Sequence, residues 1–318
     1  MLSATAFLIW DQKHWWDTVA DYSFGYLAPL FFLYILWQRW PTMRAQFTDI
    51  PAPQLTSEDK TLPRVHPFLR MLQPFTRRIE LLAFLSALVG ILLFGFGALM
   101  RTALGPMPEA SLLLSLGFGI SLLSSVFLIG ERTHSGEPFP LDKRLTLTLL
   151  FLFPAFIWMV TSPMIEGIER RVSVFLLERV TTIVFTILEI LGFALVREGN
   201  ILHLPKGQVG VAEACSGIRS LTACLFTGLF LGAAFLDRFW QKSLLVILAM
   251  ALAFTTNILR SFFLTLWAYR YGSQALEDTF FSISVHDLTG YSVLVITSIG
   301  LFALLPLFDQ FAQLDEDS

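Results

Sequence analysis

The chain has 318 residues, 55% of them hydrophobic and only 15% charged, with a net charge of −3; a soluble domain of this length carries about 25% charge. Polar groups this scarce cannot cover a surface in water, so lipid is the solvent for much of the chain, and the 31 Phe and eight Trp suit both hydrocarbon and its interface. The net charge says nothing about a nucleic-acid partner, and with no basic stripe interleaved with aromatics that option is dropped.

The stretch Met1–Trp16 lacks the order of a basic start, an apolar run and a small-residue site, so no cleavable signal peptide is expected. A spanning helix needs about 20 mostly apolar residues. The segments Tyr22–Trp37, Ile79–Met100, Ala110–Ile129, Leu145–Val160, Ser216–Leu236, Ser243–Trp267 and Leu288–Phe308 meet that need, the first and fourth with short extensions. The expectation is an all-α polytopic membrane protein with about seven to eight transmembrane helices.

The eighth segment is Ser173–Val196, apolar but interrupted by Glu178, Arg179 and Glu189. Arg171, Glu178 and Glu189 fall on one stripe of a helix. A charged stripe on an apolar helix suits an interfacial or re-entrant position better than a lipid-facing span. Between Arg197 and Ala214 short apolar residues alternate around a Pro-Lys-Gly-Gln turn, which reads as a small hairpin delivering the chain to Cys215.

The remainder is linker. The Pro-rich, basic stretch 41–78 is a non-membrane loop, placed in the cytoplasm by the positive-inside rule, and Glu131–Arg144 is a second inside loop. The tail 309–318 is acidic and solvated. The chain divides into N-terminal membrane helices, 1–160, and a second membrane region, 161–318, holding the charged helix, the hairpin and three spans.

Counting only the last three spans brings Cys215, Arg260 and His286 to one face of the bilayer. Cys215 opens the first of these helices, and the next returns to carry Arg260 seven residues before its expected end, about 10 Å from the interface. His286 stands just before the last span. An Arg this deep is expensive unless it faces the interior and finds a partner, and Asn257 lies three residues earlier on the same face. With seven spans Cys215 is external; if Ser173–Val196 also crosses, it is internal.

The helix N-terminus at Cys215 favours a thiolate. Ser216 and Gly217 offer unobstructed amides for an oxyanion hole, and Arg219 adds positive charge one turn along. Glu213 stands close enough in sequence to pair with Arg219 or to support the site. Arg260 is suited to stabilising an anion and His286 to moving a proton. Cys224, nine residues on, is roughly 13 Å further along the helix axis, too far for a disulfide with Cys215; it reads as packing.

The blocks Glu-Ala-Cys-Ser-Gly-Ile-Arg-Ser-Leu at Glu213–Leu221, Asn-Ile-Leu-Arg at Asn257–Arg260 and His-Asp-Leu-Thr-Gly at His286–Gly290 resemble the three signature blocks of the exosortase/archaeosortase family. The resemblance covers roughly Ile201–Phe308. It implies a membrane cysteine transpeptidase that cleaves a C-terminal sorting signal, a Pro-Glu-Pro-like motif followed by an apolar helix and a basic tail. It assigns Cys215 as acyl-thioester nucleophile, with Arg260 and His286 completing the site. It implies membrane-anchored substrate proteins as partners, no cofactor or metal, and an outward-facing site in the inner membrane of a prokaryote. Two other readings stand beside it. A transporter would use Glu189, Asn257 and Arg260 to line a polar path, with Cys215 as packing, though the chain lacks duplicated halves. A non-catalytic protein of polysaccharide assembly would need none of the three residues.

Overall fold

The structure, a computed structural model, describes residues 2–47, 73–129, 141–210, 218–236, 238–280 and 283–314. Nine α-helices lie among the described residues: α1 (Leu2–Thr18), α2 (Leu27–Phe47), α3 (Thr76–Leu104), α4 (Pro108–Ile129), α5 (Leu141–Val160), α6 (Glu166–Ile190), α7 (Ile218–Phe235), α8 (Phe239–Tyr271) and α9 (Val285–Leu314). Between α6 and α7 runs an antiparallel sheet, β1 (Val196–Glu198), β2 (Ile201–Leu204) and β3 (Gly207–Gly210), with β2 in the centre. A two-residue hairpin, β4 (Thr279–Phe280) and β5 (Ile283–Ser284), precedes α9.

Five of these helices are long and apolar enough to cross a membrane: α3, α4, α8, residues Lys143–Val160 of α5 and Val285–Pro306 of α9. The protein is an all-α polytopic membrane protein. The expected span Ser216–Leu236 contains a shorter apolar helix, Ser220–Phe235. The expected span Tyr22–Trp37 begins as a 3-10 turn, Ala20–Tyr26, and continues as α2 into the polar residues before Phe47. At the other end, α9 runs on to Leu314, six residues into the expected tail, because no Gly or Pro follows Pro306 to stop it.

The chain forms two compact units. The first comprises residues 1–165 and 228–246. Its tightest pairing is α3 with α4, where small residues let the backbones touch. A Cβ on Gly117 would stand 2.4 Å from the backbone nitrogen of Phe94, and one on Gly90 would stand 2.5 Å from Ser121 Oγ. Lipid supplies no hydrophobic force between helices, so close van der Waals approach of this kind drives their association. The outer face of α3 presents Leu81, Leu82, Ile91, Leu92 and Leu99, all exposed, as a lipid-facing surface requires.

Helix α1 was not expected from the sequence. It is held by a buried polar network. Asp11, fully buried, accepts from Arg101 Nε and from Ser111 Oγ, each at 2.6 Å. Gln12 Nε2 donates to Ser115 Oγ at 2.9 Å and to the Trp158 carbonyl at 2.8 Å, while Thr161 Oγ1 donates to Gln12 Oε1 at 3.1 Å. The polar residues that broke α1 as an apolar run are the ones that bind it to α3, α4 and α5. At the opposite end of α3, Glu80 receives Arg144 Nη1 at 2.6 Å.

The second unit comprises residues 166–227 and 247–318. Helix α6 starts seven residues before the expected Ser173 and stops at Ile190, earlier than the expected Val196. Gly192 ends it with φ +82°, Gly192 N–H donating to Glu189 O and Phe193 N–H to Leu188 O, a Schellman arrangement that needs a residue free to turn left-handed. Leu177, Val180, Val184 and Leu188 of α6 pack against Leu202, Leu204 and Val209 of the sheet and Ala268 of α8. The expected hairpin is a three-stranded sheet because Gly199, at φ +60°, adds a turn before β2 that the sequence reading passed over.

Candidate active site

Helix α8 has two faces along its C-terminal half. Leu259 and Phe263 are exposed, whereas Asn257 is 4% exposed and Ser261 1%. Arg260 sits beside them and does not snorkel alone: its guanidinium reaches the start of α9 within the same unit. Its Nη2 lies 3.2 Å from His286 Nε2 and donates to the His286 carbonyl at 3.1 Å. Helix α8 continues to Tyr271, four residues beyond its expected end, so Arg260 lies about 16 Å from the helix terminus.

Local sequence fixes His286. Ser284 Oγ accepts from the Asp287 N–H at 3.0 Å, which is the N-cap bond of α9. That cap sets the first turn, with His286 in it. Thr289 Oγ1 donates to the His286 carbonyl at 2.8 Å, and Asp287 Oδ1 lies 3.2 Å from His286 Nδ1. Arginine has donors only, so the bond to Nε2 requires that nitrogen to be the acceptor. Nδ1 on the other side of the ring faces the Asp287 carboxylate. Gly290 makes room for the arrangement. A Cβ there would stand 3.3 Å from Arg260 Nη2 and 3.4 Å from Cζ.

The sheet lies against the C-terminal end of α8. Lys206 Nζ donates to the Arg270 carbonyl at 2.7 Å, Phe193 and Tyr269 meet edge to face, and a Cβ on Gly207 would collide with Ser273 Oγ. The chain therefore leaves β3 at the end of α8 that the sheet covers.

Of the residues singled out in the sequence, Arg260 and His286 are in contact, with Asn257 on the same stripe of α8. Cys215, Ser216, Gly217 and Glu213 lie outside the described residues, and Arg219 belongs by its backbone to the first turn of α7. Cys224 is free and buried, 3% exposed. The sequence reading missed Ser284, Asp287 and Gly290. Their signals were present: Ser-Val-His-Asp has the spacing of a helix cap, and the glycine of His-Asp-Leu-Thr-Gly is one helical turn after His286.

A set of apolar spans whose last two helices join a guanidinium, an imidazole and a carboxylate defines a multi-pass membrane protein with a partly buried polar site. The sequence model of the transmembrane exosortase family matches residues 15–303, and the chain belongs to that family. Membership carries, at family level, a membrane transpeptidase role in protein sorting, on substrates that are themselves membrane proteins. No curated protein and no solved structure matches the chain.

Proposed function

We propose that the protein is a membrane cysteine transpeptidase that cleaves a C-terminal sorting signal, a Pro-Glu-Pro-like motif followed by an apolar helix and a basic tail. The contact between Arg260 and His286 is the observation that carries this reading, because it joins two of the three family blocks in one charged cluster. Cys215, three residues before α7 in the sequence, attacks the scissile carbonyl as thiolate. The tetrahedral oxyanion is stabilised by the Ser216 and Gly217 amides and by Arg260, with Glu213, Arg219 and Asn257 in support. Collapse of that intermediate forms the Cys215 thioester and breaks the C–N bond. His286 donates a proton to the departing amine and recovers one from the acceptor nucleophile in the next step. An acceptor nucleophile, or water, then attacks the thioester and frees the thiolate.

The site faces outward in this reading, in a prokaryotic inner membrane, and the region 161–318 carries the catalysis. Support comes from α6, which is not among the helices apolar enough to cross. Its half from Leu177 to Leu188 packs on a sheet with open edges. Unsatisfied strand edges are not tolerated in hydrocarbon. A surface position for the sheet and that half of α6 supports the non-spanning reading of α6, in which seven spans would leave Cys215 external.

The test uses the full-length protein with a helix-anchored protein ending in such a signal, taken from the same genome. Wild type converts it to a shorter form, and hydroxylamine releases a thioester adduct. Cys215→Ala gives neither product; normal processing by that variant sinks the reading.

A further inference from the structure

Three polar groups on one stripe of α8 have no hydrogen-bond partner among the described residues: Asn257 Oδ1, Arg260 Nε and Ser261 Oγ. They stand at i, i+3 and i+4, which places them side by side on the helix. Asn257 and Ser261 are more than nine-tenths buried, so neither is solvated by lipid headgroups or bulk water in the free protein. Ser261 stands apart from its neighbours. The other four Ser and Thr hydroxyls of α8, on Ser243, Thr255, Thr256 and Thr265, each donate to the carbonyl four residues earlier. Buried polar groups without partners are rare and destabilising, and three together mark a place where a partner arrives.

The chemistry of the three groups describes that partner. Arg260 Nε is a donor only, the Asn257 carboxamide oxygen is an acceptor, and Ser261 serves as either. An anion would satisfy the guanidinium and leave the carboxamide oxygen repelled. A peptide group presents a carbonyl and an N–H on opposite edges of one plane and answers both. The other edge of Arg260 is already held by His286 through Nη2, so the guanidinium is oriented before anything binds.

We propose that Asn257, Arg260 Nε and Ser261 form a backbone-binding edge that takes one peptide group of the substrate beside the reacting carbonyl. The proposal rests on the transpeptidase reading and adds what it lacks, a means of holding the sorting motif in register independent of its side chains. Asn257 and Ser261 are positioning residues in this scheme.

Two measurements on the full-length protein decide it. The first is thermal unfolding in detergent of Asn257→Leu and Ser261→Ala. Groups that await a substrate hold nothing in the free protein, so both variants keep or raise Tm; a Tm lowered by several degrees means the groups serve the fold and overturns the proposal. The second is cleavage of the helix-anchored substrate in forms where one backbone N–H at a time around the scissile bond is replaced by an ester oxygen. In wild type, one such replacement raises KM about tenfold, the worth of one hydrogen bond. Asn257→Leu shows that loss with the normal amide and no further loss with the ester. If wild type treats every ester form like the amide, or if Asn257→Leu still discriminates, the backbone-binding edge is wrong and the cleavage reading stands. If wild type leaves the normal substrate intact, the cleavage reading fails and takes this proposal with it.

Discussion

Arg260 and His286 hold each other, and the consequence is a fixed orientation for both side chains. Arg260 Nη2 lies against Nε2 and the main-chain carbonyl of His286, while Nδ1 faces Asp287. Lysine cannot reproduce this. Arg260→Lys offers one compact ammonium where two acceptors, the ring and the carbonyl, are now served. Processing is expected to fall by on the order of 10²-fold, as for a lost oxyanion donor, with the thioester adduct correspondingly slow to form. Gly290→Ala brings a methyl against the guanidinium and shifts it by some tenths of an ångström. It should cut turnover up to about 10²-fold by misplacement, while Gly290→Ser adds the same loss without rescue. Quenched-flow measurement of adduct formation checks both. The block Asn257–Arg260 was legible because a buried Arg in an apolar helix is costly. Asp287 and Gly290 were not, since their roles depend on how α9 starts relative to α8, a tertiary fact that no periodicity encodes.

The helices were legible where apolar length alone defines them, as in α3, α4 and α8. Legibility failed where polar residues are buried by packing. Helix α1 carries Asp11, Gln12 and Lys13 in its centre and was passed over, although Asp11 and Gln12 are fully buried. Helix α6 was legible as a charged helix, but its ends were set by Gly192 and by the sheet. Two outcomes test this level. Gly117→Val forces α3 and α4 apart at a contact with no spare space, and should destabilise by about 1–3 kcal/mol as an overpacked core does. Denaturation of the purified protein in mixed micelles measures it. For α6, the surface position argued above makes a single cysteine at Glu178, in a Cys215→Ala and Cys224→Ala background, react with a membrane-impermeant maleimide added to intact spheroplasts. Reaction only after the membrane is opened places α6 on the inside and reverses the orientation.

Across the molecule, two ion pairs anchor α3, one near each end. The inner one of the first unit, Asp11 with Arg101, is buried on both sides, the side chains being 0% and 10% exposed. Removing one partner leaves the other charge stranded, so Asp11→Ala should destabilise by about 3–5 kcal/mol. Asp11→Leu combined with Arg101→Leu should recover most of that loss. A thermal-shift series on the three proteins decides between a stranded charge and a general need for polarity in α1. The two pairs also act as a gauge. Twenty residues of α3 lie between Glu80 and Arg101, a helix rise of roughly 31 Å over the 21 steps, against a hydrocarbon slab of about 30 Å. Every residue between them is uncharged. Each pair is tied to other helices, so α3 has little freedom to slide along the membrane normal. Thickness mismatch must then be absorbed by tilt or by deforming the lipid, at fractions of a kcal/mol per ångström. In liposomes of graded acyl-chain length the protein should be most heat-resistant near a 30 Å core and lose resistance on either side, making membrane thickness itself a variable to which this bundle is tuned.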